Sequence, residues 1–332
     1  MSGIKILGLG RYLPVMTASN EDFTRIIDTS DEWITTRTGI SERHLSSGEY
    51  NWYMGASAAR EAMETAGVSA GQIGLIIDTT CTADYFTPSE SCMIQREIGA
   101  AGCMTIDVNC ACTGFVYGID MARRYLATDD SLEYVLVVAN ETLSKYVDYE
   151  DRSSCILFGD GAAAALVTRS DSAFGCFTGA DGTGGKNLVV KMPHAFSPFV
   201  NDENRMSIDD GLPEGKPNHL YQDGKEVYRF ATKILGEAAA EAARRAGVEV
   251  SEIDCFLPHQ ANLRIIETAA KNLNVSMDRF YVNLQRCGNT SSASIPLAMY
   301  DAVKEGRIRR GDRICLVGFG AGLTYGAAVF EY

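Results

Sequence analysis

The same succession of a helix, a glycine and an apolar strand occurs twice in the chain. Residues 58–68 are rich in alanine, which is typical of a helix that ends near Gly67, and the apolar segment 73–77 follows. Residues 239–248 repeat the alanine-rich pattern, and the apolar segment 253–257 comes next. A sequence that encodes one unit twice is expected to fold into two similar parts.

Further apolar segments at residues 134–139 and 313–318 belong to the same repeat, and segments of small residues at 159–164 and 320–326 read as further strands. Apolar strands without polar alternation indicate sheets that helices cover on both faces. These patterns predict an α/β protein made of two packed α/β units. The alternative is a chance similarity between two helix–strand pairs, because short α/β motifs recur in unrelated proteins.

The least regular segment, residues 184–224, contains four of the eight prolines together with several Asn, Asp and Ser residues. This composition predicts a long surface excursion, and such loops often frame a binding site.

Composition excludes several classes of protein. The net charge of −13 argues against binding of nucleic acid through a broad basic surface. No apolar run approaches the ~20 residues of a membrane span, and the first residues lack the pattern of a signal peptide, so we expect a cytoplasmic protein that does not enter a membrane. The ten cysteines are then expected to be mostly reduced and buried. They offer no Cys-x2-Cys pair, so we expect no metal site.

Cys112 stands between a predicted strand, residues 103–109, and a predicted helix, residues 113–127. The free amide groups and the dipole at a helix amino end stabilise a thiolate, so we expect a lowered pKa for the Cys112 thiol. The same amides can bind an oxyanion. Cys110 has much the same neighbourhood, so the pattern leaves either cysteine as the nucleophile. A buried, purely structural cysteine is the further alternative.

His259 comes just after the apolar segment 253–257, with only Pro258 between them, where a strand end delivers side chains to a site. Asn289 has, in the second half, the strand-to-helix position that Cys112 has in the first. The pseudo-symmetry is expected to bring the three residues together. The alternatives are a structural histidine and a helix-capping asparagine. We expect Thr290 or Ser291 to cap the helix, which leaves the Asn289 amide to donate.

Seven segments in order and spacing resemble the β-ketoacyl-acyl-carrier-protein synthase III family, which has the thiolase fold. They are residues 29–34, 37–40, 111–115, 158–161, 258–262, 288–291 and 318–322. The resemblance implies a layered αβαβα architecture of two pseudo-symmetric halves, residues 1–171 with the nucleophile and residues 172–332 with the histidine and asparagine.

The resemblance also implies a triad of Cys112, His259 and Asn289. In the family reaction the cysteine takes an acyl group from coenzyme A, and the oxyanion lies against the backbone N–H groups of Cys112 and Ala321. Malonyl-acyl-carrier protein then loses carbon dioxide and attacks the acyl-cysteine, with His259 and Asn289 stabilising the enolate. Acyl-coenzyme A is a substrate in this scheme, and no cofactor is implied.

Four residues match the coenzyme A contacts of the family. Trp33 and Arg152 correspond to the residues that sandwich the adenine, Arg37 corresponds to a residue near the nucleotide end, and Asn262 corresponds to a pantetheine contact.

Two further sets follow from the resemblance. Arg229, Arg264 and Lys271 match a basic patch that receives the acidic carrier protein. Thr87 stands where many members have a phenylalanine that covers the acyl pocket of the partner subunit in a homodimer, and its smaller side chain predicts room for a longer or branched primer. Tyr228 lies near the expected mouth of the tunnel, after the excursion at residues 184–224.

Two other functions remain open at this stage. The first is a synthase or acyltransferase of secondary metabolism with the same fold, which keeps the triad but uses a different acceptor or a coenzyme A-linked extender. The second is a non-catalytic subunit that shapes an active partner, although such subunits usually lose the nucleophile and this chain retains all three residues.

Overall fold

The computed structural model describes residues 3–191, 211 and 219–332. Within these ranges the chain forms two sheets and the helices that cover them. The strands are β1 Gly3–Tyr12, β2 Thr17–Ser19, β3 Glu42–His44, β4 Ile73–Thr79, β5 Met104–Val108, β6 Tyr134–Glu141, β7 Gly161–Ser170, β8 Phe174–Ala180, β9 Leu188–Val190, β10 Leu220–Gln222, β11 Cys255–Pro258, β12 Arg313–Gly320 and β13 Thr324–Glu331. The helices are α1 Asn20–Phe23, α2 Asp31–Thr38, α3 Asn51–Ala66, α4 Glu90–Ile98, α5 Gly114–Thr128, α6 Gly224–Ala246, α7 Leu263–Leu273, α8 Leu284–Cys287 and α9 Ser294–Lys304.

The two sheets have the same topology. The first has the strand order β1-β7-β6-β4-β5, and the second has the order β8-β13-β12-β11. In each sheet the second and third strands are antiparallel, and the next strand runs parallel to the third. Phe280 forms a parallel bridge to Phe256 of β11, at the position that β5 occupies in the first sheet. The repeat in the sequence therefore corresponds to a repeat in the structure.

Helices α5 and α9 lie between the two sheets, and each contacts strands of both. Their apolar side chains, such as Phe115, Ile119 and Ile295, are fully buried in the central core. Helix α3 covers the outer face of the first sheet, and α6 covers that of the second. This gives the αβαβα layers and confirms the predicted fold class.

The ends of the repeated helices explain why the glycines recur. Gly67 ends α3 with φ 68°, and Gly247 ends α6 with φ 72°. Glycine adopts this left-handed conformation without the steric cost of a Cβ atom, so both helices end there, and a short helical turn leads from each to the next strand. The predicted boundary between residues 171 and 172 lies between β7 of the first sheet and β8 of the second.

Two expectations about irregular segments need correction. Residues 320–326 are not one strand, since β12 ends at Gly320 and β13 begins at Thr324 after a tight turn. The segment 184–224 is also not purely a surface loop. Leu188–Val190 and Leu220–Gln222 pair as an antiparallel ladder, while the positions 192–210 and 212–218 lie outside the described residues.

Two general observations concern membranes and cysteines. Among the helices described, none combines the length and apolar character needed to span a bilayer. All ten cysteines fall in the described ranges, and all are free thiols.

Candidate active site

Cys112 lies in a sharp turn between β5 and α5. A single helical turn, Ala111–Thr113, precedes α5, and Ala111 has the left-handed φ of 45°. The Asn109 side chain holds this turn by accepting the Ala111 N–H at 3.3 Å. Cys112 is 7% exposed and lines a cavity of about 980 Å³, whereas Cys110 lies outside that lining. The structure therefore distinguishes the two cysteines that the sequence could not separate.

The second half repeats this turn before α9. Ser291 has a left-handed φ of 48° and begins the helical turn Ser291–Ala293. Asn289 Oδ1 accepts the Ser291 N–H at 2.9 Å, as Asn109 does for Ala111 in the first half. The expectation that Thr290 or Ser291 caps this turn is wrong, because the oxygen of Asn289 does so. The Asn289 nitrogen is still left to donate, and the residue lines the cavity.

His259 follows β11 and continues its pairing, since its N–H donates to the Val317 carbonyl at 2.8 Å. Its side chain is buried, its Nδ1 lies 2.7 Å from Ser294 Oγ, and its ring meets Phe319 edge-on at 5.3 Å. Because Ser294 occupies Nδ1, Nε2 is the nitrogen available to a ligand. Burial lowers the pKa of His259 to about 3, so the imidazole is neutral at physiological pH.

The pKa of the Cys112 thiol differs from the expected value. Burial raises the pKa of this thiol to about 12, and the hydrogen bond to Ser291 Oγ at 3.5 Å opposes that rise without overcoming it. The expectation of a lowered pKa therefore conflicts with the enclosed position of the sulfur. The cost of removing a thiolate from water outweighs the favourable helix end, so the resting residue is a thiol.

The turn after β12 brings Ala321 to the cavity that Cys112 also lines. Gly320 approaches Cys112 so closely that a Cβ atom at this glycine would lie 2.7 Å from the Cys112 nitrogen. Ala321 comes next and lines the cavity. Within the described ranges neither the Cys112 N–H nor the Ala321 N–H has a hydrogen-bond acceptor. Two free backbone donors in the same cavity as a thiol suit a developing oxyanion.

The outer end of the cavity is lined by the residues matched to coenzyme A. The Arg152 guanidinium lies 4.5 Å from the centre of the Trp33 ring, and that of Arg37 lies 5.0 Å from it. Arg152 thus packs directly on the indole that is expected to meet the adenine. Asn262 lines the cavity as well, but it caps α7 by accepting the Arg264 N–H at 2.9 Å and donates to the Arg37 carbonyl at 3.0 Å.

The residues matched to the carrier-protein patch divide into two groups. Arg264 lies at the cavity mouth and donates to the Thr36 carbonyl at 2.9 Å. Arg229 and Lys271 are exposed outside the cavity, and Arg229 pairs with Glu226. All three can meet a partner from solvent, although Arg229 already has an acidic neighbour.

Of the two residues matched to the acyl pocket, one lines the cavity and the other does not. Tyr228 lines the cavity, and its hydroxyl lies 3.4 Å from Thr268 Oγ1. Thr87 is exposed and lies outside the cavity lining of the single chain. The ladder at Leu188–Val190 and Leu220–Gln222 also contributes to the cavity wall, so the proline-rich segment contributes to the site.

Four residues near the nucleophile were missed by the sequence analysis. Ser291 contacts Cys112, and Ser294 contacts His259. Cys81 contacts Ser291 and is in turn contacted by Glu141. The positions of Cys81 and Glu141 at the ends of predicted strands could have indicated that both lie near the site. Glu141 ends β6 and Cys81 follows β4, and these strands are parallel neighbours whose carboxyl ends share one edge of the sheet.

Comparison with known proteins agrees with this geometry. The family model described as 3-oxoacyl-[acyl-carrier-protein (ACP)] synthase III matches residues 106–182, and the model of its C terminal matches residues 243–332. The chain is 40% identical to the beta-ketoacyl-[acyl-carrier-protein] synthase III of Clostridium novyi, over 100% of both chains. It is 41% identical to that of Clostridium tetani, over 99% of this chain and 98% of the relative.

Solved structures give the same result. The 3-oxoacyl-[acyl-carrier-protein] synthase III of Aquifex aeolicus has a TM-score of 0.89 and 39% identity, covering 99% of this chain and 100% of the other. The priming beta-ketosynthase of the R1128 polyketide biosynthetic pathway has a TM-score of 0.88 and 37% identity, covering 99% and 96%. From its sequence, fold and cavity, this chain belongs to the β-ketoacyl-acyl-carrier-protein synthase III family.

Proposed function

We propose that this chain condenses an acyl-coenzyme A primer with malonyl-acyl-carrier protein, which yields 3-oxoacyl-acyl-carrier protein, coenzyme A and carbon dioxide. The observation that carries the proposal is that Cys112, His259 and Asn289, from distant parts of the chain, line one cavity. The reaction is the first condensation of fatty acid biosynthesis. Beyond these two substrates the proposed scheme uses no cofactor.

In the first half-reaction the sulfur of Cys112 attacks the thioester carbonyl of the primer. The N–H groups of Cys112 and Ala321 support this role, since both residues line the cavity and neither N–H has a backbone acceptor among the described residues. Coenzyme A leaves and the acyl group stays on Cys112 as a thioester. The outer cavity, where Arg37 and Arg152 both contact Trp33, has the aromatic and cationic groups that suit a nucleotide.

In the second half-reaction malonyl-acyl-carrier protein enters and loses carbon dioxide. His259 Nε2 and Asn289 Nδ2 donate to the thioester oxygen and stabilise the enolate. The low pKa of His259 supports this assignment, because a neutral imidazole can donate without carrying charge into a dry cavity. Each donor is worth ~2–4 kcal/mol of transition-state stabilisation by analogy with single oxyanion donors. The carbanion then attacks the acyl-cysteine.

The partners follow from the same proposal. An acidic carrier protein docks on Arg229, Arg264 and Lys271, which are all exposed, and of which Arg264 lines the cavity. Asn262 contacts the pantetheine arm through its side-chain amide. In the free protein the oxygen of this amide caps α7 and its nitrogen donates to the Arg37 carbonyl. A second copy of the chain brings Thr87 to the acyl pocket, beside Tyr228. The enzyme acts in the cytoplasm.

A second candidate has a specific observation in its favour. The priming ketosynthase of the R1128 polyketide pathway is 37% identical to this chain, so the fold and family also serve secondary metabolism. That candidate keeps the acyl-cysteine but takes a different acceptor or a coenzyme A-linked extender.

Labelled malonyl-carrier protein and malonyl-coenzyme A, supplied separately with an acyl-coenzyme A primer, test the proposal. We expect labelled 3-oxoacyl product from the carrier-linked extender alone. Product from malonyl-coenzyme A without carrier protein contradicts the carrier claim. Intact mass after treatment with acetyl-coenzyme A excludes or supports a non-catalytic subunit, since such a subunit gains no acyl group.

A further inference from the structure

A chain of hydrogen bonds leads from the nucleophile into the first half of the protein. The Cys112 thiol donates to Ser291 Oγ at 3.5 Å. Ser291 Oγ lies 3.7 Å from Cys81 Sγ. The Cys81 thiol in turn lies 3.4 Å from each carboxylate oxygen of Glu141. The four residues therefore form a continuous path from the sulfur to a carboxylate.

Glu141 is fully buried at the end of β6. Its oxygens accept hydrogen bonds from Thr82 Oγ1 at 2.6 Å, Ser292 Oγ at 2.7 Å and the Cys81 N–H at 3.2 Å. Within the described part of the chain all of its hydrogen-bond partners are neutral, and no Lys or Arg forms an ion pair with it. The carboxyl group of Glu141 is therefore surrounded by neutral donors alone.

The carboxylate fixes the direction of every hydrogen in the path. The Cys81 S–H donates toward Glu141, whose two oxygens both act as acceptors. The sulfur of Cys81 is then an acceptor for the Ser291 O–H, and the oxygen of Ser291 is an acceptor for the Cys112 S–H. Each link donates toward Glu141, which is the arrangement that a proton leaving Cys112 requires.

We propose that Glu141, reached through Ser291 and Cys81, takes up the Cys112 proton during acylation; this inference rests on the proposed function. The Cys112 S–H bond breaks and a new O–H bond forms on Ser291, whose own proton passes to the Cys81 sulfur. The proton of Cys81 forms an O–H bond on Glu141. The electron pair left on Cys112 bonds to the thioester carbonyl carbon. As the oxyanion collapses, the proton returns through the same residues to the coenzyme A sulfur, which leaves as a thiol.

The alternative acceptor is His259, and the two routes differ in charge. A proton moved from Cys112 to a neutral imidazole creates two charges in a dry cavity, each of which must be desolvated. A proton moved to Glu141 creates no additional charge, because the existing negative charge passes from the carboxylate to the sulfur. The pKa of His259, lowered to about 3 by burial, agrees with this preference, because the site resists an imidazolium.

Cys81 offers a matched pair of variants, because serine retains a donor and an acceptor at this position and alanine does not. Single-turnover acylation by acyl-coenzyme A, followed by quench and intact mass, measures the first half-reaction. We expect Cys81→Ala to acylate on the order of 10²-fold more slowly, and Cys81→Ser to retain most of the rate. Carbon dioxide release from malonyl-carrier protein should fall far less than acylation does in Cys81→Ala.

Cys92→Ala is the control for the loss of a thiol elsewhere, since Cys92 is exposed on α4 and lies outside the cavity lining. Glu141→Gln should slow acylation like Cys81→Ala, because glutamine has no charge to pass on. The proposal is wrong if Cys81→Ala acylates at the wild-type rate, or if Cys81→Ser is as slow as Cys81→Ala. Should Glu141→Gln fail to fold, the Cys81 pair still decides. A wild-type protein that never acylates instead contradicts the proposed function itself.

Discussion

The side-chain oxygen of Asn289 accepts the backbone N–H of Ser291 at 2.9 Å, and this bond fixes which end of the amide meets the cavity. The oxygen is committed to the turn before α9, so the nitrogen is the end left for a ligand. The same turn presents Ser291 to the sulfur of Cys112. One local motif thus orients both the Asn289 amide and the Ser291 hydroxyl that contacts Cys112.

Replacement of Asn289 tests this division of roles. Asn289→Ala and His259→Ala each remove one donor to the enolate, so we expect carbon dioxide release from malonyl-carrier protein to fall on the order of 10²–10³-fold. Acylation of Cys112 by acyl-coenzyme A, measured by intact mass, should fall far less. Thermal unfolding of each variant controls for a disturbed fold. Equal losses in the two half-reactions contradict the assignment.

The choice of nucleophile is tested by a pair of cysteine variants. Cys112 lines the cavity beside the free N–H groups, whereas Cys110 lies outside the lining. We therefore expect Cys112→Ser to abolish acyl transfer while the protein stays folded, and Cys110→Ser to retain most of the activity. Intact mass after acyl-coenzyme A treatment measures both. An inactive Cys110→Ser with an active Cys112→Ser would reverse the assignment.

The fold could be predicted because its determinants are local and repeated. Alanine-rich segments that end at Gly67 and Gly247, each followed by an apolar strand, specify two units of the same kind. The turn that carries Cys112 was also visible, since it separates a strand from a helix. The repeated sequence pattern specifies the helices and strands that each half forms from its own residues.

The chemistry between the halves could not be predicted in the same way. The pKa of Cys112 depends on how completely the second half covers the sulfur, and no local pattern reports that coverage. Ser291 and Glu141 approach from strands and turns that are remote in sequence, so their contacts with the site exist only after packing. The capping role of Asn289 was missed because Thr290 and Ser291 are equally good caps by residue type.

The buried imidazole should make stability depend on pH. In the unfolded chain a histidine takes up a proton near pH 6.5, whereas the pKa of folded His259 is about 3. Between these values the unfolded state binds more protons, so the contribution to stability is fully present above about pH 6.5 and falls as pH decreases. Between about pH 7 and 5 the loss amounts to up to ~2 kcal/mol.

Denaturant unfolding of wild type and His259→Gln at both pH values measures this contribution. We expect the wild type to lose more unfolding free energy than the variant, since glutamine does not titrate. The difference between the two proteins cancels the contributions of other buried groups such as Asp78 and Glu90. An identical loss in both proteins would mean that His259 is protonated in the folded state.

The Trp33 indole, at the outer end of the cavity, should affect the binding of coenzyme A alone. Trp33 contacts two guanidinium groups and lines the cavity, where a nucleotide base can stack on its ring. We expect Trp33→Ala to raise KM for acyl-coenzyme A on the order of tenfold, since a stacked base is worth ~1–3 kcal/mol. Trp52→Ala is the matched control, because this indole lies outside the cavity lining. An unchanged KM would remove Trp33 from the proposed binding site.

The edge of the first sheet should be covered by a second copy of the chain. Phe86 is 98% exposed in the loop between β4 and α4, and Met104 of the edge strand β5 is 44% exposed. An edge strand with unpaired backbone groups beside exposed apolar side chains is a pairing surface unless something covers it. The family resemblance assigns this loop, through Thr87, to the acyl pocket of a partner subunit. Sedimentation at several protein concentrations should therefore give a dimer for the wild type.

Phe86→Asp should shift this equilibrium toward the monomer, because a buried carboxylate without a partner is costly in an interface. Ile26→Asp is the matched control, since Ile26 is also exposed, at 57%, but lies in the segment after α1. If loss of the dimer also alters the length of primer accepted by Cys112, the partner subunit forms part of the acyl pocket. A Phe86→Asp variant that remains dimeric would place the interface elsewhere and leave the preference for primers to the residues of a single chain, Tyr228 among them.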